Sequence, residues 1–311
     1  MPRERHTSSP TLDLVTSPTK PPWRPLWERV AGKTGERELV DDVPDYLLPA
    51  LQQWLANALD LFDDLDTSIQ LRTRKVFSTQ RDRVGRHFVV VGGSELLEAI
   101  DAALFAKSWL VRGNERPYGR SVAEQDSQRI WTVQVKELQF RLWEGESAWQ
   151  PNEDFNGLVR RVDETVAEAA KTTIAAAPAD AAMHLKAAWS AAYALHPDPE
   201  KAYGQAIKAA EAAAIPATLP STDLSPTLGK VLAHMRQASH KYSMVIDDRV
   251  AQPASAEAVI ALIDLIWWGQ RDRHAGGPTS KPTTQEAAEA AVHAAVLIVQ
   301  WFNSRAVVKN P

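Results

Sequence analysis

Residues 263–302 read IDLIWWGQRDRHAGGPTSKPTTQEAAEAAVHAAVLIVQWF, and their reading decides the fold. An apolar run from Val259 to Trp268, broken only by Asp264, stops at Gly269. It gives way to Gln270, Arg271, Asp272, Arg273 and His274, and then to Ala275-Gly276-Gly277-Pro278. On either side the apolar residues recur at spacings of three and four, which predicts helices over 255–269 and 284–303. Ser255 is the expected opening of the first, and Thr283 with Glu286 has capping-box spacing for the second. The first helix should be buried, and His293 within the second should be a satisfied core histidine.

Working back along the chain, the composition from about 163 is dominated by alanine, the best intrinsic helix former. Pro178 and His196-Pro197-Asp198-Pro199 divide it into helices over 163–176, 179–195 and 199–214. Asp198-Pro199 is a cap followed by a first-turn proline, and Ser225-Pro226 repeats the signal for a helix over 226–239. Residues 163–198 read as an alanine-rich helical connector, and 199–305 as a four-helix bundle.

The N-terminal part differs. Residues 1–40, rich in Pro, Ser and charge, read as a flexible tail whose Trp23 and Trp27 dock its end onto the body. Residues 41–162 read as an α+β region. It starts with a helix over 45–59 carrying Leu48, Leu51, Leu55 and Leu59 on one face, followed by acids at Asp60, Asp63, Asp64 and Asp66. The β-branched, Arg-rich stretch 67–91 predicts one or two strands, the clearer being His87–Val91. Beyond Gly92-Gly93, Ser94 is positioned to cap a helix to about Ala106. A polar loop through Gly113, Pro117 and Gly119, a helix over 123–143 and a hairpin around PNEDFN complete the region. The expected fold class is mainly α, a C-terminal helical bundle with a smaller N-terminal α+β region.

Two stretches carry chemistry. In the turn, Arg271 and Arg273 can hold a phosphate through several donors, and His274 can move a proton near neutral pH. Together they supply what metal-free RNA cleavage by a 2′-hydroxyl requires. The alternative is a charged helix C-terminus in which Arg and His favour the dipole and the glycines end the turn. The second stretch, Arg72, Arg74, Lys75, Arg81, Arg83 and Arg86, meets only Asp82 locally. It reads equally as a track for an RNA backbone or as a partner for the acids at 60–66. Arg236 and His240 read as a solvated helix face.

The stretch quoted at the outset, with AYGQAIKAAEAAAIPATLPSTDLSPTLGKVLAHM at 202–235, resembles the C-terminal end of abortive-infection-type members of the HEPN superfamily. The resemblance covers roughly residues 185–303 and rests on the helix pattern and one short motif, an Arg followed by a polar residue with a His further on. It implies a HEPN-like four-helix bundle, often dimeric, in a superfamily with many metal-independent ribonucleases of toxin and anti-phage systems. Arg271-Asp272 matches the start of the motif and His274 is the nearby histidine, at a tighter spacing than the family pattern. On this resemblance Arg271 holds the scissile phosphate, His274 moves a proton and Asp272 orients one of them. The tighter spacing leaves a second reading open: a non-catalytic dimeric adaptor or sensor with an inactive bundle.

The totals bound the rest. The chain has 311 residues, no cysteine and a net charge of -4, so disulfides, thiol catalysis and a global positive field are excluded. The N-terminus has no apolar signal segment and no run of about 18 apolar residues exists, so a cytoplasmic protein that binds no membrane is expected. The expected partners are RNA, a second copy of the chain and a regulatory protein. Gly32-Lys33-Thr34 lacks the first glycine of a phosphate loop, Trp27 standing there, and Val91-Gly92-Gly93-Ser94 lacks the dinucleotide fingerprint. The scattered histidines show no metal-ligand spacing, and no cofactor is expected. Most of the 11 tryptophans, Trp267, Trp268 and Trp301 included, are expected as core or interface anchors.

Overall fold

A computed structural model describes residues 30–31, 39–76, 79–111, 121–250, 252–270 and 281–310. It is mainly helical, with a few short strands. The chain divides between Arg161 and Val162 into two compact units.

In the first unit, α1 (Leu48–Leu61) and α2 (Leu65–Thr73) precede the antiparallel hairpin β1 (Thr79–Arg81) and β2 (His87–Val89). Then come α3 (Gly93–Val111), α4 (Val122–Glu144) and a second hairpin, β3 (Trp149–Pro151) with β4 (Leu158–Arg160). The hairpin expected around PNEDFN forms, with Phe155 in the left-handed region at φ 51°. The face expected on α1 is the one that packs: Leu51, Leu55 and Leu59 are buried, joined by Trp54. The Trp54 indole N–H donates to the Gln134 carbonyl at 2.7 Å and ties α1 to α4. Ser121 and Glu124 close a capping box on α4, and its Trp131, Val135, Leu138 and Leu142 face inward.

Two strands form within 67–91, as expected, at 79–81 and 87–89, but the start of that stretch belongs to the helix over 65–73. Leu65 and Ile69 lie four apart and are both fully buried in a helix against α3, so their burial outweighs the strand preference of Thr67, Ile69 and Thr73. The helix ends at Arg74 in the left-handed region, φ 54°. Among the described residues no acid of 60–66 forms an ion pair with the basic stretch, although the Arg72 charge acts on Asp64. Asp60 accepts from His87 Nδ1 and from the His87 backbone N–H, both at 2.8 Å. Asp64 pairs with Lys107, whose side chain is only 5% exposed and whose Nζ stands 4.9 Å from the Phe62 ring centroid.

That pair supports a two-sided prediction. The Lys107 hydrogen bond holds the Asp64 carboxyl below the usual carboxylate range, against a smaller opposing effect of burial. The pair's contribution is therefore complete above about pH 4 and lost as pH falls through the lowered pKa. Asp64→Asn leaves a buried ammonium without its counter-charge. It is expected to destabilise by about 1–2 kcal/mol at neutral pH, discounted for the exposure of Asp64, and to converge on wild type in acid. Lys107→Met, which keeps the stem and removes the charge, is expected within about 1 kcal/mol of wild type. Urea unfolding of the three proteins across pH checks both.

The second unit contains α5 (Glu164–Ala176), α6 (Ala179–Tyr193), α7 (Pro199–Thr218) and α8 (Leu228–Gln237). These are followed by β5 (Tyr242–Asp247), β6 (Pro253–Ser255), α9 (Glu257–Gly269), α10 (Gln285–Asn303) and β7 (Val307–Lys309). The range 163–198 is part of this body: α6 packs on both α7 and α10, and α5 packs on α6 and α10. Alanine explains the closeness. Ala202, Ala206, Ala209, Ala210 and Ala214 on α7 are wholly buried, as are Ala288 and Ala295 on α10, so the backbones approach with little side-chain volume between them. A small antiparallel sheet of order β6-β5-β7 joins the chain's end to the segment between α8 and α9, an element that helical periodicity does not announce.

Several starts move. The caps are Thr227 for α8 and Thr284 for α10, each accepting from the N–H three residues on, in place of Ser225 and Thr283. Ser255 ends β6, and α7 continues through Pro216 to Thr218. No helix among the described residues is long and apolar enough to cross a membrane.

Candidate functional site

Arg271, Asp272, Arg273 and His274 lie outside the described residues, as do Trp23, Trp27, Gly32-Lys33-Thr34 and the loop through Gly113, Pro117 and Gly119. The structure defines instead the footing from which the polar turn departs. The Tyr203 hydroxyl on α7 donates to the Ile266 carbonyl near the end of α9, at 3.0 Å. Gly269 gives that ring its room: a Cβ there would stand 2.3 Å from the hydroxyl oxygen. Gly229 on α8 does the same for Trp267, whose indole would lie 2.5 Å from a Cβ. Between α8 and α9, Arg236 pairs with Asp264 at 2.8 Å. Three contacts to two helices thus anchor the last two turns of α9, which ends two residues before Arg271.

The return is anchored as well. Gln285, first residue of α10, donates to the Ala192 carbonyl at 2.6 Å and to Glu289 at 2.7 Å. The backbone N–H at Glu286 and the Thr284 side chain hold the Glu286 carboxyl below its ordinary range, and negative charge there favours the helix N-terminus.

The burial expected for α9 and its tryptophans holds on one face. Val259, Ile260, Ile263 and Ile266 are buried. Leu265 and Trp268, however, are each 68% exposed, with Ala258 and Ala261 exposed on the same side. Their spacing of three, four and three residues makes a continuous outward apolar stripe. Trp267 is half-buried over Gly229 and Trp301 is half-buried, whereas Trp54 and Trp131 are fully enclosed.

His293 also departs from expectation. It is exposed, and its Nε2 lies 2.8 Å from the hydroxyl of the buried Tyr193. Trp189 lies beside both rings, with centroids at 4.7 and 6.0 Å. Burial, with the charge of Glu289 adding to it, pushes the Tyr193 hydroxyl well above its ordinary range, so it stays protonated and can donate to Nε2. Sequence reasoning missed Trp189 and Tyr193, whose signal was the i,i+4 spacing that Glu289 and His293 share.

The basic stretch separates into two groups. Lys75 pairs with Glu98 at 2.9 Å and Glu95 at 3.7 Å, and Arg86 with Asp82 at 3.0 Å. Arg72 donates to the Ser68 carbonyl and lies over the Phe105 ring. Arg74, Arg81 and Arg83 are exposed and form no ion pair among the described residues. The junction at Gly92-Gly93 is no anion cradle, because the Asp42 carboxylate stands 3.6 Å from where a Gly93 Cβ would be. Among the described residues no three His, Asp or Glu side chains gather as a metal site.

No family model, no curated protein and no solved structure matches this chain.

Proposed function

We propose that the protein is an RNA-cleaving effector of the abortive-infection kind, with a HEPN-like four-helix arrangement formed by α7, α8, α9 and α10. Its chemistry belongs to the turn between α9 and α10. Arg271 binds the scissile phosphate, Arg273 assists, His274 moves a proton and Asp272 orients the pair. The observation that carries the reading is the anchoring of α9 immediately before the turn. Tyr203 over Gly269, Trp267 over Gly229 and the Arg236–Asp264 pair hold the helix end from which four ionisable residues follow. Such fixation of the supporting element is what phosphate positioning demands.

The working form in this reading is a homodimer. The stripe of Ala258, Ala261, Leu265 and Trp268 supports it, since an apolar stripe on the outer side of a helix that already buries its inner side is a surface suited to a partner. A two-fold pairing of α9 across this stripe with the two helices parallel puts both turns at the same end of the pair. Incubation of purified protein with total RNA in EDTA tests the activity: cleavage is expected to persist. Sedimentation tests the assembly, a dimer being expected for wild type and a monomer for Trp268→Glu.

The second reading, a non-catalytic dimeric adaptor or sensor, is favoured by the tight Arg271–His274 spacing. It predicts a dimer without cleavage and turn variants that leave partner binding intact. A regulatory protein partner fits either reading.

A further inference from the structure

The first unit carries a second feature with chemistry of its own, the β1–β2 hairpin. Its turn is held rigidly: Asp82 N–H donates to the Arg86 carbonyl at 2.9 Å, and the Asp82 carboxylate accepts from the N–H groups of Val84 and Arg86, both at 2.9 Å. Gly85 adopts φ 82°, the left-handed conformation that this tight connection requires. The carboxylate also neutralises Arg86, so one acid both locks the turn and is consumed by it.

The hairpin has two unlike faces. His87 and Val89 point inward, where His87 bonds to Asp60 and Val89 is 4% exposed. Phe88 points the other way, 54% exposed, opposite the exposed Gln80 across the strands, with Val90 on the same side. At the turn end stand Arg81 and Arg83. Arg81 gives one N–H to the Gly85 carbonyl at 3.3 Å, which fixes its side chain without neutralising it. Five of the acids near in sequence are engaged elsewhere, Asp82 by Arg86, Asp60 by His87, Asp64 by Lys107, and Glu95 and Glu98 by Lys75, and neither Asp63 nor Asp66 forms an ion pair with Arg81 or Arg83 among the described residues.

We propose that this hairpin is a binding platform for single-stranded RNA, with a base stacking on Phe88 on its outer face and adjacent phosphates held at its turn end by Arg83 and by Arg81, which stands on the His87 side of the strand and is exposed at that end. An exposed ring on a strand can stack with any base, and stacking is open to a single strand but closed to a duplex, whose bases already stack. Two guanidiniums without acid partners supply the charge complement of a backbone. A protein partner would meet Phe88 and Val90, with Val84 in the turn, a small apolar area that stands beside two cations. The platform is independent of the turn after α9, because its residues belong to the other unit.

The test uses full-length protein carrying Arg271→Ala, Arg273→Ala and His274→Ala, which removes any contribution of that turn. The probe is a fluorescein-labelled oligouridylate of about 15 nucleotides, read by anisotropy beside a duplex RNA of the same length. Binding is expected for the single strand, with affinity falling as salt rises at a logarithmic slope of roughly -1.4 for two phosphates. Phe88→Leu keeps apolar bulk but loses the ring, and is expected to weaken binding about 5- to 100-fold, whereas Phe88→Tyr retains it. Arg81→Ala with Arg83→Ala is expected to abolish most of the salt dependence. Circular dichroism confirms that these surface variants fold. Absence of binding up to about 0.1 mM overturns the proposal. So does equal affinity for the duplex, or Phe88→Leu binding like wild type, which marks the face as an apolar docking surface for protein.

Discussion

Replacing His274 by alanine is expected to reduce metal-independent RNA cleavage about 10²–10⁴-fold, the usual worth of a positioned acid–base group. Attack by a 2′-hydroxyl needs its proton removed and charge on the phosphate stabilised as it grows. Among the turn's residues only His274 is of a type suited to proton transfer near neutral pH, and Arg271 is the arginine nearest in sequence to the anchored helix end. Arg271→Ala should therefore cost at least about 10²-fold, an effect of the size seen when one stabilising donor is lost from a polar site. Arg271→Lys should restore little, since an ammonium cannot make the two-pronged contact. Initial rates on labelled tRNA in EDTA measure all three. Rates unchanged from wild type would remove the turn from the mechanism and favour the adaptor reading.

The largest expected loss of stability is at Trp131. Its indole is fully buried, 6.2 Å from Trp54 and 5.5 Å edge-on to Phe62, at the meeting of α1 and α4. Trp131→Ala removes an aromatic pair and leaves a large cavity, so about 3–5 kcal/mol is expected. The indole N–H is buried and has no hydrogen-bond partner among the described residues. Trp131→Phe deletes that unpaired donor together with part of the ring. The gain from the first offsets some of the second, and a cost below about 2 kcal/mol is expected. Denaturant unfolding separates the two variants. Equal losses would mean that the N–H does find a partner.

The α+β region shows how local signals and tertiary burial divide the work. The second hairpin was legible because PNEDFN is turn chemistry, written in the residues that adopt it, whereas Gly85 marked the turn of the first without being read. Residues 65–73 were not, since Leu65 and Ile69 fit either period and only packing on α3 chooses the helix. The basic stretch looked uniform in sequence. Distant partners divide it, with Glu95 and Glu98 taking Lys75, and Arg81 and Arg83 left outward.

By itself the sequence determined a mainly helical chain, most helix spans of the second unit and the polar turn between its last two helices. Those follow from alanine propensity, proline punctuation and apolar spacing, which act within a few residues. Tertiary structure alone decided that 163–198 joins the helical body and that β7 returns to pair with β5. It also left Leu265 and Trp268 facing outward, and brought the buried Tyr193 hydroxyl to an exposed His293 one hundred residues away. Each of these depends on contacts between residues far apart in the chain. Their burial energies exist only once the elements have met, and no local pattern encodes them.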